Sequence, residues 1–246
     1  MHRLVLFDID STLIDARGAG GRALLPAIAD VYGVTGTLDG YSFEGRTDPQ
    51  IVREIATRWG VAPDAVDPLL GPCLCRYLDR LEDVMAGWRV VVLPGVRELL
   101  TALVADRRVT VGLQTGNVEH GARLKLGSSG LWDLFPFGAF GSDAEGRPDL
   151  ATIAVERARA HTGIAFTGRE VVIVGDTPAD VTCGAHLDVA TIAVTTGRHP
   201  RAELAAAGAD HIFPDLSEWR RIHGIIVDGS HGAGRAGRLG ERRSGG

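Results

Sequence analysis

Apolar residues fall in two patterns along the 246-residue chain. The first is a set of short runs: Leu4–Phe7, Val109–Leu113, Val171–Val174 and Val189–Val194, with a weaker one at Phe137–Phe140. Such runs, aliphatic with little polar alternation, are expected of parallel strands buried on both faces. The second pattern has helical spacing. Val96, Leu99, Leu100 and Leu103 line one face of a helix from Val96 to Ala105. Further helices are expected after Asn117, from Pro148 to His161, and from Arg201 to Ala207. Strands alternating with helices predict right-handed crossovers and a doubly wound, Rossmann-like α/β fold with a parallel sheet.

Residues 16–86 interrupt this alternation. They lack buried-strand runs and carry helical patches at Ala23–Val31, Pro49–Trp59 and Pro68–Val84, with Asp48 expected to cap the second of them ahead of Pro49. A small helical cap domain over 16–86 is therefore expected, inserted in a core made of 1–15 and 87–227. Val90–Leu93 and Pro94-Gly95 lead back into that core. From Asp228 to Gly246 glycine and arginine dominate, and a disordered tail is expected there because too little apolar surface is available to offset the entropy of ordering.

Polar residues follow the strand ends. The Leu4–Phe7 run is followed by Asp8 and Asp10, Val109–Leu113 by Thr115-Gly116-Asn117, and Val171–Val174 by Gly175-Asp176-Thr177-Pro178-Ala179-Asp180. In a parallel sheet these ends share one edge, the usual ligand position of open α/β folds. Paired carboxylates suit Mg²⁺, a hard cation, and an aspartate facing a neutralised phosphate is a competent nucleophile. The backbone N–H groups after Gly116 open a helix and are expected to offer an anion site.

Asp8-Ile9-Asp10-Ser11-Thr12-Leu13, Thr115 and the Asp176/Asp180 pair resemble, in order, three signatures of the haloacid dehalogenase superfamily, over Leu4 to about Pro214. The inserted helices resemble the cap of its phosphoglycolate phosphatase-like members. The resemblance implies a Mg²⁺-dependent phosphatase acting on a small phosphorylated metabolite through an aspartyl phosphate. Asp8 would be the nucleophile and Asp10 the general acid and base. Asp8, Asp10, Asp176 and Asp180 would form the metal site, the last in support, and Thr115, Gly116 and Asn117 would bind the phosphoryl oxygens. Arg46, in Phe43–Asp48 of the cap, would meet a substrate anion. A phosphomutase shares the whole core, and a non-catalytic phosphate-binding relative is an alternative from outside enzymology. A dehalogenase would not need Asp10.

One signature departs from the pattern. Where related phosphatases carry a lysine before proline, this chain has Arg147-Pro148, and arginine is not a conservative replacement for lysine. The only lysine among its 26 basic residues is Lys125. It stands i+7 from Val118 and i+3 from Ala122 on the apolar face of its helix, where a cation needs an anionic partner. Lys125 and Arg147 are both candidates for the cationic role, with Lys125 slightly preferred.

Composition narrows the field. A net charge of −5 argues against nucleic acid, and no apolar run reaches the roughly 18 residues of a membrane span. A cytoplasmic monomer or homodimer is expected. Cys73, Cys75 and Cys183 lack zinc spacing and are expected to be reduced, packed thiols.

Overall fold

A computed structural model of the protein describes residues 1–229. Six parallel strands form the central sheet: β1 (Arg3–Phe7), β4 (Val109–Gln114), β5 (Gly138–Ala139), β6 (Val171–Gly175), β7 (Ala190–Val194) and β8 (His211–Phe213). Their order is β5-β4-β1-β6-β7-β8, with β1 paired to β4 on one side and β6 on the other. The doubly wound parallel fold expected from the run-and-helix alternation is present. Two short strands, β2 (Ile14–Asp15) and β3 (Val91–Val92), pair antiparallel in a separate sheet. The Val90–Leu93 run thus contributes to a two-stranded ribbon, paired with the chain just after the first motif.

All five residues of β1 are buried, and its side chains alternate between two cores. Val5 and Phe7 face the larger one, which holds Leu99 and Leu103 of α4 (Val96–Ala105), Ala122 and Leu126 of α5 (Glu119–Gly127), and Ile222 and Ile226 of α9 (Trp219–Asp228). Leu4 and Leu6 face the smaller one, with Leu150, Ala151, Ala154 and Ala158 of α6 (Arg147–Thr162). Three further helices, α1 (Ala19–Tyr32), α2 (Asp48–Arg58) and α3 (Pro63–Ala86), pack on one another, and α3 also lies against α5. Helices α7 (Pro178–Cys183) and α8 (Arg201–Ala207) complete the order.

Differences from the sequence reading have local causes. Helix α1 begins at Ala19, four residues before the expected start at Ala23, and α3 begins at Pro63 and accommodates Pro68 and Pro72. Strand β8 and helix α9 were not anticipated: three residues make too short a run, and α9 is amphipathic without a capping signal. The cap of α2 is Thr47, whose hydroxyl accepts the Gln50 N–H, and Asp48 is the first helical residue. At the other end Asp228 closes α9 and Gly229 caps it, so they are not tail; the rest of the expected tail, 230–246, lies outside the described residues. Cys73 and Cys183 are buried and free, whereas Cys75 is exposed. Among the described residues no helix is long and apolar enough to cross a membrane.

Since β1 organises both cores, Leu6→Ala is expected to cost about 3 kcal/mol through lost burial and a residual cavity. Val104→Ala, at a half-exposed position of α4, is expected to stay within about 0.5 kcal/mol. Denaturant unfolding of both variants measures the contrast.

Candidate active site

The chain leaves β1 at Asp8, whose N–H still donates to the Val174 carbonyl of β6 at 3.0 Å. This bond continues the ladder one residue past the strand, so the Asp8 side chain emerges at the sheet edge, 4% exposed. The next turn is tight. The Leu13 and Ile14 amides fold back onto the Ile9 carbonyl at 2.9 and 3.1 Å, and Ser11 takes a left-handed φ of 59°. That conformation costs an L-residue about 1 kcal/mol, a cost that only glycine would avoid. Thr12, pulled inside by the turn, donates its hydroxyl to Asp176 Oδ1 at 3.2 Å.

Asp176 follows β6, and Asp180 sits three residues into α7, where it and Thr177 cap each other reciprocally. The Asp180 Oδ2 accepts the Thr177 N–H at 3.0 Å and its hydroxyl at 2.7 Å. One carboxylate oxygen from each of Asp8, Asp176 and Asp180 lies within 4.8 Å of the others. The end of β7 closes this corner: Thr196 donates its hydroxyl to the Ser11 carbonyl, and Gly197 passes so close that a Cβ there would overlap the Asp176 carboxylate.

Both candidate cations are buried at the site. Arg147, the first residue of α6, donates to Asp180 Oδ1 and to Asp8 Oδ1, the latter at 3.4 Å. Lys125, 4% exposed on α5, donates to Asp10 Oδ2 at 2.7 Å and Asn117 Oδ1 at 2.6 Å. Asn117 in turn donates to Asp10 Oδ2 at 2.8 Å and Thr115 Oγ1 at 2.9 Å. The open choice between the two cations thus becomes a division: the guanidinium faces Asp8, and the ammonium faces Asp10.

The electrostatics follow from burial. Burial raises Asp8 to about 7 and Asp176 to about 9; mutual repulsion with Asp180 adds to it, and Arg147 only partly opposes it. Burial by itself would lower Arg147 and Lys125. Arg147 is nevertheless held above its usual range by Asp180 and Asp8, and Lys125 by Asp10 and Asp48. With all three carboxylates ionised, one guanidinium would leave two negative charges uncompensated, and the raised values of Asp8 and Asp176 express that deficit. A divalent cation with oxygen ligands fits that donor set, through Asp8, Asp176 and, in support, Asp180. The Asp10 carboxylate does not join this cluster; it is turned to Lys125 and Asn117.

Two expectations change. The amides after Gly116 are already engaged: Asn117 N–H by Thr115 Oγ1 (3.3 Å), Val118 N–H by Asp48 Oδ2 (2.8 Å) and Glu119 N–H by Ser142 Oγ (3.3 Å). The anion site expected there is taken up by the protein's own oxygens. Arg46 does line the cavity over the site, but its Nε donates to Glu54 at 2.7 Å and its guanidinium lies over Tyr41. Thr12, Asp48, Thr196 and Gly197 were missed as site residues. Only the threonine and glycine after the Val189–Val194 run carried a signal, their position at a strand end.

The cavity, about 680 Å³, is bounded by Asp8, Asp10, Asp176, Lys125 and Arg147 below and by Gly18–Arg22, Phe43 and Ile51 of the helical segment above. A family model for haloacid dehalogenase-like hydrolases matches residues 5–194. The chain belongs to that family. It is 27% identical over 227 residues to the protein named probable phosphatase IndB of Dickeya dadantii, covering 89% of this chain and 92% of that one. Among solved structures it is similar to a hydrolase from Pseudomonas syringae (TM-score 0.69, 18% identity, 92% of this chain and 99% of that one). It is equally similar to a predicted phosphoglycolate phosphatase from Haemophilus somnus (TM-score 0.68, 18% identity, 90% and 97%). The fold and the six-stranded sheet are those of this hydrolase family.

Because Gly197 leaves room for the Asp176 carboxylate, Gly197→Ala is expected to lower stability by about 1–3 kcal/mol, read from the shift in denaturant midpoint. Gly127→Ala, where a Cβ meets nothing within 4 Å, serves as the control and is expected to be neutral or slightly stabilising.

Proposed function

We propose that this haloacid dehalogenase-like hydrolase is a Mg²⁺-dependent phosphatase of small phosphate monoesters, working through an aspartyl phosphate on Asp8. The observation that carries the reading is the separation of two carboxylates only two residues apart. Asp8 sits in an acidic cluster against a guanidinium, and Asp10 is bound by an ammonium and an amide. One is set up as nucleophile and the other as proton carrier. The phosphatase name of the 27%-identical relative supports the same class.

Mg²⁺ would be held by Asp8 and Asp176, with Asp180 oriented by Thr177 and Arg147, and it supplies charge neutralisation at the transferring phosphoryl group. Asp8 attacks phosphorus as the bond to the alkoxide breaks, and Asp10 delivers its proton to that oxygen. Water then attacks the aspartyl phosphate while Asp10 takes a proton from it. Phosphate leaves and Asp8 is restored. Arg147 and the Thr115 hydroxyl meet phosphoryl oxygens, and the insertion 16–86, acting as a cap, excludes bulk water from the roofed cavity. Lys125 orients Asp10 and steadies its charge between proton transfers. The substrate is small, for the cavity of about 680 Å³ is shared by the phosphoryl group and its alcohol.

The test is phosphate release from a panel of esters that includes phosphoglycolate, sugar phosphates and nucleoside monophosphates. Release with Mg²⁺ that stops on EDTA and falls at least about 10³-fold in Asp8→Asn is the expected result. Metal-independent release, or full activity in Asp8→Asn, overturns the mechanism. Transfer of phosphate to a second hydroxyl instead of water identifies a phosphomutase.

The division between the cations gives a second prediction. Lys125→Met removes the ammonium from Asp10 and is expected to lower kcat about 10–100-fold with a changed pH profile. Arg147→Met is expected to raise KM as well, because it removes a phosphoryl contact. Steady-state kinetics across pH on the best ester of the panel measures both.

A further inference from the structure

Helix α5 carries Lys125 into the site, yet it begins without a cap of its own. Its N-cap residue is Val118, which has no side-chain oxygen to offer the first amides. The missing oxygens come from elsewhere. Ser142 Oγ accepts the Glu119 N–H, and Asp48 Oδ2, from the first turn of α2, accepts the Val118 N–H at 2.8 Å. Asp48 is buried and its backbone N–H donates to the Gly116 carbonyl, also at 2.8 Å. One residue of the helical insertion therefore grips both ends of the Gly116–Val118 turn.

That turn is crowded from the same direction. A Cβ at Gly116 would overlap the Arg46 carbonyl, and the Thr47 hydroxyl donates to the Glu145 carbonyl at 3.3 Å, two residues before Arg147. Asp48 has an easier alternative. Sitting in the first turn of α2, its carboxylate has that helix's own amides close at hand, but Thr47 already serves them and Asp48 reaches across to α5. Its charge also falls on Lys125.

We infer that Asp48 is a positioning residue, which caps α5 from the helical insertion and so ties the seating of that insertion to the Asn117–Lys125–Asp10 hydrogen bonds. The inference rests on the phosphatase reading for its kinetic consequence and on geometry alone for its structural one. When the insertion seats, α5 gains its capping oxygen and Lys125 is held against Asp10. When it lifts, the Val118 amide is released and the first turn of α5 loosens. The site is then complete only under a seated insertion, and an ester bound in an open site meets an Asp10 that is not yet oriented.

Three variants separate the contributions. Asp48→Asn keeps an acceptor oxygen in place and removes the charge; Asp48→Glu keeps the charge and displaces the oxygen; Asp48→Ala removes both. Each is measured on the full chain for kcat and KM with Mg²⁺ on the best ester of the panel, and for residue-resolved amide exchange. Expected are a kcat loss of about tenfold or more in the alanine and glutamate proteins, and retention within about threefold in the asparagine protein. Exchange at Val118–Ala122 rises about tenfold in the first two and is restored in the third, while β7 exchange is unchanged. Full kcat in Asp48→Ala overturns the inference, and so does exchange that rises uniformly along the chain, the sign of a merely structural role. Activity that follows the charge, kept in the glutamate protein and lost in the asparagine protein, overturns it too. If the wild type hydrolyses no ester, the phosphatase reading fails, and the exchange pattern alone then decides for or against the cap. Should the alanine protein not fold, the asparagine and glutamate pair carries the same decision.

Discussion

The constraint on which the site depends is the burial of negative charge at the end of a strand that has no room for water. β1 is sealed on both faces, and its ladder extends one residue to deliver Asp8 into the same buried corner as Asp176 and Asp180. Three carboxylates in such a place are tolerable only with cations aimed at them. Arg147 supplies one positive charge from the start of α6, and the remaining imbalance is what makes the cluster a strong claimant for a divalent ion. The rest of the corner is scaffolding for that concentration of charge: the inward hydroxyl of Thr12, the mutual cap of Thr177 and Asp180, and the bare backbone of Gly197.

A second charge system stands beside the first and is kept separate from it. Asp10 is two residues from Asp8, but the tight turn at Ser11 lets its carboxylate point away, toward Lys125 and Asn117. Had the chain continued extended, both acids would have shared one metal and one electrostatic fate. In the proposed mechanism this division gives Asp8 the bond to phosphorus and Asp10 the proton. The helical insertion belongs to this second system. Asp48 adds a further buried carboxylate whose charge acts on Lys125, raised to about 6 by burial against the pull of that ammonium.

The sheet and the order of its helices were legible because burial on both faces leaves runs that no other element shows. The acidic positions were legible because a parallel sheet gathers its strand ends. Arg147 was legible as a departure from a family pattern, and Lys125 by its place on an apolar helix face. What escaped was set by packing instead of periodicity. Asp48 reads as a helix cap in sequence because Asp-Pro commonly is one; only the approach of α5, 70 residues away in the chain, turns its side chain outward. The amides after Gly116 read as free because nothing local fills them. β8 is too short to register in any window, and Arg46 reads as a ligand because its partner Glu54 lies two helical turns further on.

The solitary lysine has one more consequence. Lys125 is the only primary amine that any side chain of this protein carries, and it is enclosed between Asp10 and Asn117 beneath α1 and α3. Lys125 also lines the cavity over the site, so an acylating reagent reaches it only through that cavity, past the segment that roofs it. The extent of side-chain amine acylation over time is therefore a clock for opening: a single, naturally placed chemical reporter whose rate counts the excursions of the roof and requires no label to be introduced.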